Sequence, residues 1–188
     1  MFAQWFPDVA DMAVLDVGGT AGAWRLAPTR PARLVFLNVE PPGELAGAET
    51  VIGDACDPPD SIRNDRFDLV YSNSVIEHVG GHWRRQAFAD AVTSLGDRYW
   101  VQTPYRYFPV EPHYVGPLFQ FVPLALRGRL VARWPIGSLA TVTDPTVCLA
   151  LAQQTELLGR TEMRGYFPDA VLLGERVLGL TKSLIAVR

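Results

Sequence analysis

Apolar positions along this chain fall into two rhythms. Short, nearly unbroken apolar runs recur at residues 13–17, 33–40, 50–53, 67–72 and 98–103, the signature of strands buried on both faces. Between the last two of these, residues 83–95 place apolar side chains at Ala87, Phe88, Ala91, Val92 and Leu95, with Gly96 beyond the end. That is the period of an amphipathic helix and its stop. Prolines punctuate the rest. Pro28 and Pro31 limit residues 21–26 to a brief helix, and Pro41-Pro42 and Pro58-Pro59 close the second and third runs. Residues 160–167 predict a short helix with Met163, Tyr166 and Phe167 on one face. Residues 170–175 and 181–187 predict two final strands close enough to pair as a hairpin. Strand–helix alternation with buried strands predicts a doubly wound, parallel α/β sheet in a single domain, residues 1–188.

One stretch breaks the rhythm. Residues 104–143 hold six prolines and the aromatics Tyr105, Tyr107, Phe108, Tyr114, Phe119, Phe121 and Trp134. No acidic residue lies between Glu111 and Asp144, whereas Arg127, Arg129 and Arg133 do. An insertion this long in a compact domain reads as a lid or a binding surface. Its apolar tract at 114–126 followed by arginines also has the layout of an interfacial element, which keeps open a peripheral membrane contact or a lipid-linked substrate. Asp144-Pro145 then starts a helix, an N-cap followed by proline.

Charge and composition narrow the classes. A net charge of −3 gives no basic field for nucleic acid. Basic residues are sixteen Arg to one Lys, Lys182, which reads as genome composition. Cys56 and Cys148 form no CxxC pair, as expected of a reduced, cytoplasmic protein. The first residues lack the layout of a signal peptide, and no apolar run is long enough to span a bilayer.

The chemistry gathers at residues 13–24, AVLDVGGTAGAW, a buried strand running into a glycine-rich turn before a helix. A dinucleotide fingerprint starting at Gly18 needs glycine at 20 and 23, where the chain has Thr20 and Ala23. The spacing is instead Asp-x-Gly-Gly-x-x-Gly. A carboxylate at Asp16 would repel a phosphate but suits a cationic ligand, such as an ammonium near a sulfonium. Glu40 ends the second strand 22 residues after Gly18, where a carboxylate reaches ribose hydroxyls.

With GDACDPP and FDLVYSNSVIEHV added, the chain resembles the class I S-adenosyl-L-methionine (SAM)-dependent methyltransferases over residues 13–104. The match is to the small-molecule group, type 11-like, with a D-x-x-x-S-x-x-V-[LI]-E-H segment after the fourth strand. The final GLTKSLIAVR also resembles that group. The resemblance implies a Rossmann-like, seven-stranded, mostly parallel sheet with an antiparallel last strand. It implies that Asp16, Gly18, Gly19, Thr20 and Gly22 line the methionine end of SAM and that Glu40 accepts from the ribose. Asp54 and Ala55 would flank the adenine, and Ser72 and Asn73 would sit beside the transferring methyl. The family usually has a helix or more ahead of the first strand. Here about a dozen residues precede it, so either the insertion covers the cofactor or the site is open.

Several residues carry two readings. Asp54 either binds adenine or caps its own turn. His78 is either structural or near substrate, and Gly80-Gly81 separates it from His82, against a metal site. His113 lies in a proline-stiffened segment beyond the fifth strand, where an imidazole can take a proton from an acceptor hydroxyl with Glu111 orienting it, or the segment is scaffold. Tyr105, Tyr107, Glu111 and Tyr114 would contact the acceptor. The expected reaction is methyl transfer to an oxygen of a small molecule. The competing readings are a non-catalytic SAM-fold regulator and an NAD-linked oxidoreductase, the latter opposed by the glycine spacing.

Overall fold

A computed structural model describes residues 1–111, 116–133 and 144–188. Five strands follow the five apolar runs: β1 (Ala13–Val17), β2 (Arg33–Asn38), β3 (Ala48–Ile52), β4 (Phe67–Asn73) and β5 (Gly96–Pro104). Helices α1 (Phe2–Trp5), α2 (Ala21–Arg25), α3 (Asp60–Arg63) and α4 (His82–Leu95) lie before and among them. The insertion contributes the two-residue strands β6 (Val110–Glu111) and β7 (Gly116–Pro117) and helix α5 (Leu124–Arg133). Helices α6 (Pro145–Gln153) and α7 (Arg160–Tyr166) and strands β8 (Val171–Val177) and β9 (Leu180–Val187) complete the chain.

Seven strands form one sheet in the order β3-β2-β1-β4-β5-β9-β8. All neighbours are parallel except β9, which runs antiparallel to both β5 and β8. This is the mostly parallel sheet with an antiparallel last strand that the sequence predicts. The chain leaves β1 toward β2 and β3, then returns to β4 on the other side of β1. A crevice therefore opens at the carboxyl ends of β1 and β4, where open α/β sheets take their ligands.

Alternate residues of each strand serve opposite faces. Leu15, Val17, Val35, Leu37, Val70 and Val101 pack with Phe88 and Val92 of α4 and Met163 of α7. Val14, Leu34, Phe36, Leu69 and Trp100 face the other way, against Phe6, Val9, Met12 and Trp24. The amino-terminal lead-in is thus the cover of the second face. Phe2 sets its ring edge-on against Tyr71 and Trp100, at 5.3 and 5.4 Å between centroids.

Boundaries shift where turn chemistry decides. The third strand is Ala48–Ile52 rather than 50–53, because Gly47 turns the chain at φ +82° and Gly53 bonds back to the Asn38 carbonyl. The sequence showed no helix after Pro58-Pro59; Pro59 serves as the N-cap of α3, whose Ile62 is buried. Within the insertion, α5 packs on α6 through Val131, Cys148 and Ala152, so the inserted layer extends past residue 143.

Phe6 is 2% exposed and bridges the lead-in to Trp100. Phe6→Ala should cost about 3–5 kcal/mol in urea unfolding. A cost under about 1 kcal/mol would mean that the lead-in is not part of the core.

Candidate functional site

The loop after β1 is built around one carboxylate. Asp16 is 1% exposed, and its Oδ2 accepts from the Trp24 indole N–H of α2 at 2.6 Å. Its Oδ1 is buried and has no hydrogen-bond partner among the described residues. Burial pushes the carboxyl up to about 7, and the Trp24 bond only partly offsets this. Gly18 has φ +75°, and a Cβ there would strike Val75. A Cβ at Gly19 would overlap the Asp16 carboxylate itself. The loop therefore closes over Asp16 only because both positions are glycine. Gly22 has only Thr20 Oγ1 within 4 Å of its missing Cβ, at 3.9 Å, among the described residues. The Gly18 N–H donates to Leu37 O at 2.8 Å, and Asn38 Nδ2 donates to Gly19 O at 3.1 Å, fixing the loop to β2. Thr20 caps α2 with extended backbone and makes no side-chain cap bond.

The other expected cofactor residues line the same edge of the sheet. Glu40 lies two residues past the end of β2 with an exposed side chain. Asp54 and Ala55 follow β3. The Asp54 Oδ1 accepts from the Cys56 N–H at 2.9 Å, the Asx turn of its second reading, and Arg84 of α4 reaches both carboxylate oxygens at 2.9 and 2.7 Å. Partial burial raises the Asp54 carboxyl, but the Arg84 and Cys56 bonds outweigh it and hold it below its usual range. Ser72 faces inward. It is fully buried, and its hydroxyl donates to Val17 O at 3.0 Å, sewing β4 to β1. The side chain presented at that strand end is the exposed Asn73.

Beyond Asn73 the chain turns through Ser74 in the left-handed region, at φ 59°. Next to it, a cavity of about 440 Å³ opens between the ends of β4 and β5 and the β8–β9 hairpin. Asn73, Gln102, Tyr105 and Phe108 line it with Glu175 and Lys182. The Gln102 amide donates to Glu175 at 3.2 Å, and Lys182 Nζ lies 3.9 Å from the same carboxylate oxygen. Sequence reading found Tyr105 but missed Gln102, Glu175 and Lys182. The one available signal was a polar residue inside each of three otherwise largely apolar strands. Tyr107 is exposed, with its ring against Tyr105 and Phe121.

The two histidine candidates separate. His78 Nδ1 lies 3.2 Å from Gln154 O and 3.4 Å from Thr155 Oγ1, joining the loop after β4 to the segment after α6. Its neighbour Glu77 is buried and accepts from Thr103 Oγ1 at 2.9 Å, while the Glu156 N–H donates to the Glu77 carbonyl. These bonds favour the structural reading of His78. His82 instead meets the Tyr166 hydroxyl at 2.9 Å. His113 and Tyr114 lie outside the described residues, as does the side chain of Glu111.

No family model matches this sequence, and no curated protein matches it in sequence. Solved structures match its fold. NodS, an N-methyltransferase of Bradyrhizobium japonicum in complex with S-adenosyl-L-homocysteine (SAH), superposes with a TM-score of 0.56 at 12% identity, over 99% of this chain and 81% of its own. Magnesium protoporphyrin IX methyltransferase ChlM of Synechocystis, also with bound SAH, gives 0.57 at 12% identity, over 100% and 78%. A Rhodobacter sphaeroides chain provisionally named as a Zn-dependent alcohol dehydrogenase gives 0.63 at 10% identity, over 98% and 86%. At these identities the likeness is one of fold, and the fold is that of the class I SAM-dependent methyltransferases NodS and ChlM. The antiparallel β9 between β5 and β8 also departs from the 3-2-1-4-5-6 order of dinucleotide-binding folds.

The raised Asp16 carboxyl has a consequence for stability. The folded state keeps a proton that the unfolded chain loses near pH 3.8, so this contribution to stability falls as pH rises from about 4 to about 7. Asp16→Asn should be insensitive to that window while retaining an acceptor for Trp24. Urea unfolding of both proteins should show the variant gaining on wild type from pH 4.5 to pH 8, by about 3 kcal/mol. A constant difference across that range would mean that Asp16 is ionised throughout.

Proposed function

We propose that this chain is a SAM-dependent methyltransferase acting on a hydroxyl oxygen of a small molecule. The observation that carries the reading is Asp16: a buried carboxylate with one oxygen unpartnered among the described residues, closed in by glycines at the sheet's ligand crevice. A cationic group delivered there would compensate its burial. The residues present fit such a ligand. Asp16 with Gly18, Gly19, Thr20 and Gly22 would hold its amino-acid end, Glu40 its ribose, and Asp54 and Ala55 its adenine. The SAH-bound state of NodS and ChlM supports the same cofactor.

When bound, SAM supplies a methyl group already activated on a sulfonium. The protein's task is then alignment and exclusion of water, which can supply up to roughly 7–11 kcal/mol of barrier reduction. Asn73 flanks the crevice and the cavity alike, so it is suited to positioning the acceptor oxygen. The cavity lined by Gln102, Tyr105, Glu175 and Lys182 would hold the acceptor. His113 would take the hydroxyl proton as the methyl–oxygen bond forms.

Calorimetric titration with SAH and with NAD tests the cofactor. SAH should bind and NAD should not, and Asp16→Asn should weaken SAH by about 10–100-fold. Absence of SAH binding would remove the reading, and binding without SAH production from SAM across an acceptor panel would favour a non-catalytic regulator. With an acceptor in hand, His113→Ala should lower turnover by about 10²–10⁴ at unchanged SAH affinity. Unchanged turnover would release His113 from the base role.

A further inference from the structure

The turn joining β8 to β9 departs from what a hairpin favours. Its two central residues, Leu178 and Gly179, both have positive φ, 51° and 81°. Such turns favour Asn-Gly or Asp-Gly, because a residue with a bulky side chain is strained there. Leu178 pays for that conformation and hides nothing: it is 98% exposed. Val177 and Leu180 beside it are also exposed. A strained, exposed apolar cluster contradicts both local preference and burial, and such conflicts concentrate at functional surfaces.

Charge on the hairpin indicates what the cluster meets. Residues 176–182 read RVLGLTK, an apolar tip with a cation at each side of its base; Lys182 is paired with Glu175 at 3.9 Å, which leaves Arg176 as the cation in excess. Arg176 is exposed and has no ion-pair partner among the described residues. The last residue of β5, Pro104, pairs with Ser183, so the strand from Leu180 to Lys182 projects about 10 Å past the β5 end. Tyr105 bonds to the Lys182 carbonyl, and the row Tyr105, Tyr107, Phe121 carries the exposed apolar surface toward Leu118, another non-glycine residue at positive φ. Arg129 of α5 is exposed in the segment that follows.

We propose that the β8–β9 turn docks this protein on an anionic lipid surface. Val177, Leu178 and Leu180 enter the acyl boundary, and Arg176 sits among the headgroups. Docking in this way brings the mouth of the cavity at Glu175 and Lys182 to the headgroup layer. The proposal does not depend on methyl transfer.

Sedimentation with vesicles tests it. The full chain should pellet with phosphatidylcholine/phosphatidylglycerol (7:3) vesicles at low salt, far less with pure phosphatidylcholine, and less as salt rises. Leu178→Asn restores the favoured Asn-Gly turn, so its melting temperature should be equal to or above wild type while the vesicle-bound fraction falls about tenfold. Wild-type protein that stays in the supernatant with anionic vesicles, or an Asn variant that pellets as wild type does, would overturn the proposal. A concentration-dependent dimer that the Asn variant abolishes, without vesicle binding, would also overturn it and assign the turn to a second copy.

Discussion

A single buried carboxylate constrains the ligand edge of this protein. Removing Asp16 from water is unfavourable, and one bond from Trp24 offsets only part of the cost. The surroundings are shaped to this group. Gly19 leaves room for it, Gly18 turns the chain over it, and Trp24 brings α2 back against β1. Asn38 then fixes the loop to β2, while Ser72 fixes β4 to β1 at the same level. In the free protein, protonation relieves this burial; under the proposed function, a positive group delivered to the loop would take that role.

The strands were legible because strands buried on both faces read as plain apolar runs, and the hairpin because two such runs close the chain. The glycine spacing, broken at Thr20 and Ala23, was legible as well. What escaped were contacts between distant parts of the chain. Trp24 lies eight residues from Asp16, yet nothing in the local pattern announces its bond to it. Arg84 lies thirty residues from Asp54, and only the packing of α4 beside the β3 end makes the two partners. The resemblance implies Ser72 as a residue beside the methyl; the sheet register, with Val17 opposite, turns its hydroxyl inward. The role of the short lead-in was not legible either: its aromatics, Phe2 and Phe6, pack on Trp100 and cover one face of the sheet.

The polar cavity at this edge follows from the position of β9. By running antiparallel between β5 and β8, it brings Lys182 and Glu175 to the carboxyl ends of the parallel strands, opposite Gln102. Two charges of opposite sign in one cavity leave it nearly neutral while rich in donors and acceptors. Such a chamber orients a polar, uncharged group better than it attracts an ion. The crevice at Asp16 and the neighbouring cavity thus differ in character, the first built on one buried carboxyl and the second on a paired acid and base.

The central claim is that the Asp16 carboxyl is raised by burial and relieved by a bound cation. Carbon-13 NMR of the Asp16 carboxyl, titrated with pH, measures this directly. The account predicts a midpoint near 7 in the free protein that falls by at least one pH unit with saturating SAH. A midpoint near the ordinary aspartate value in the free protein, or one that SAH binding leaves unmoved, would contradict it.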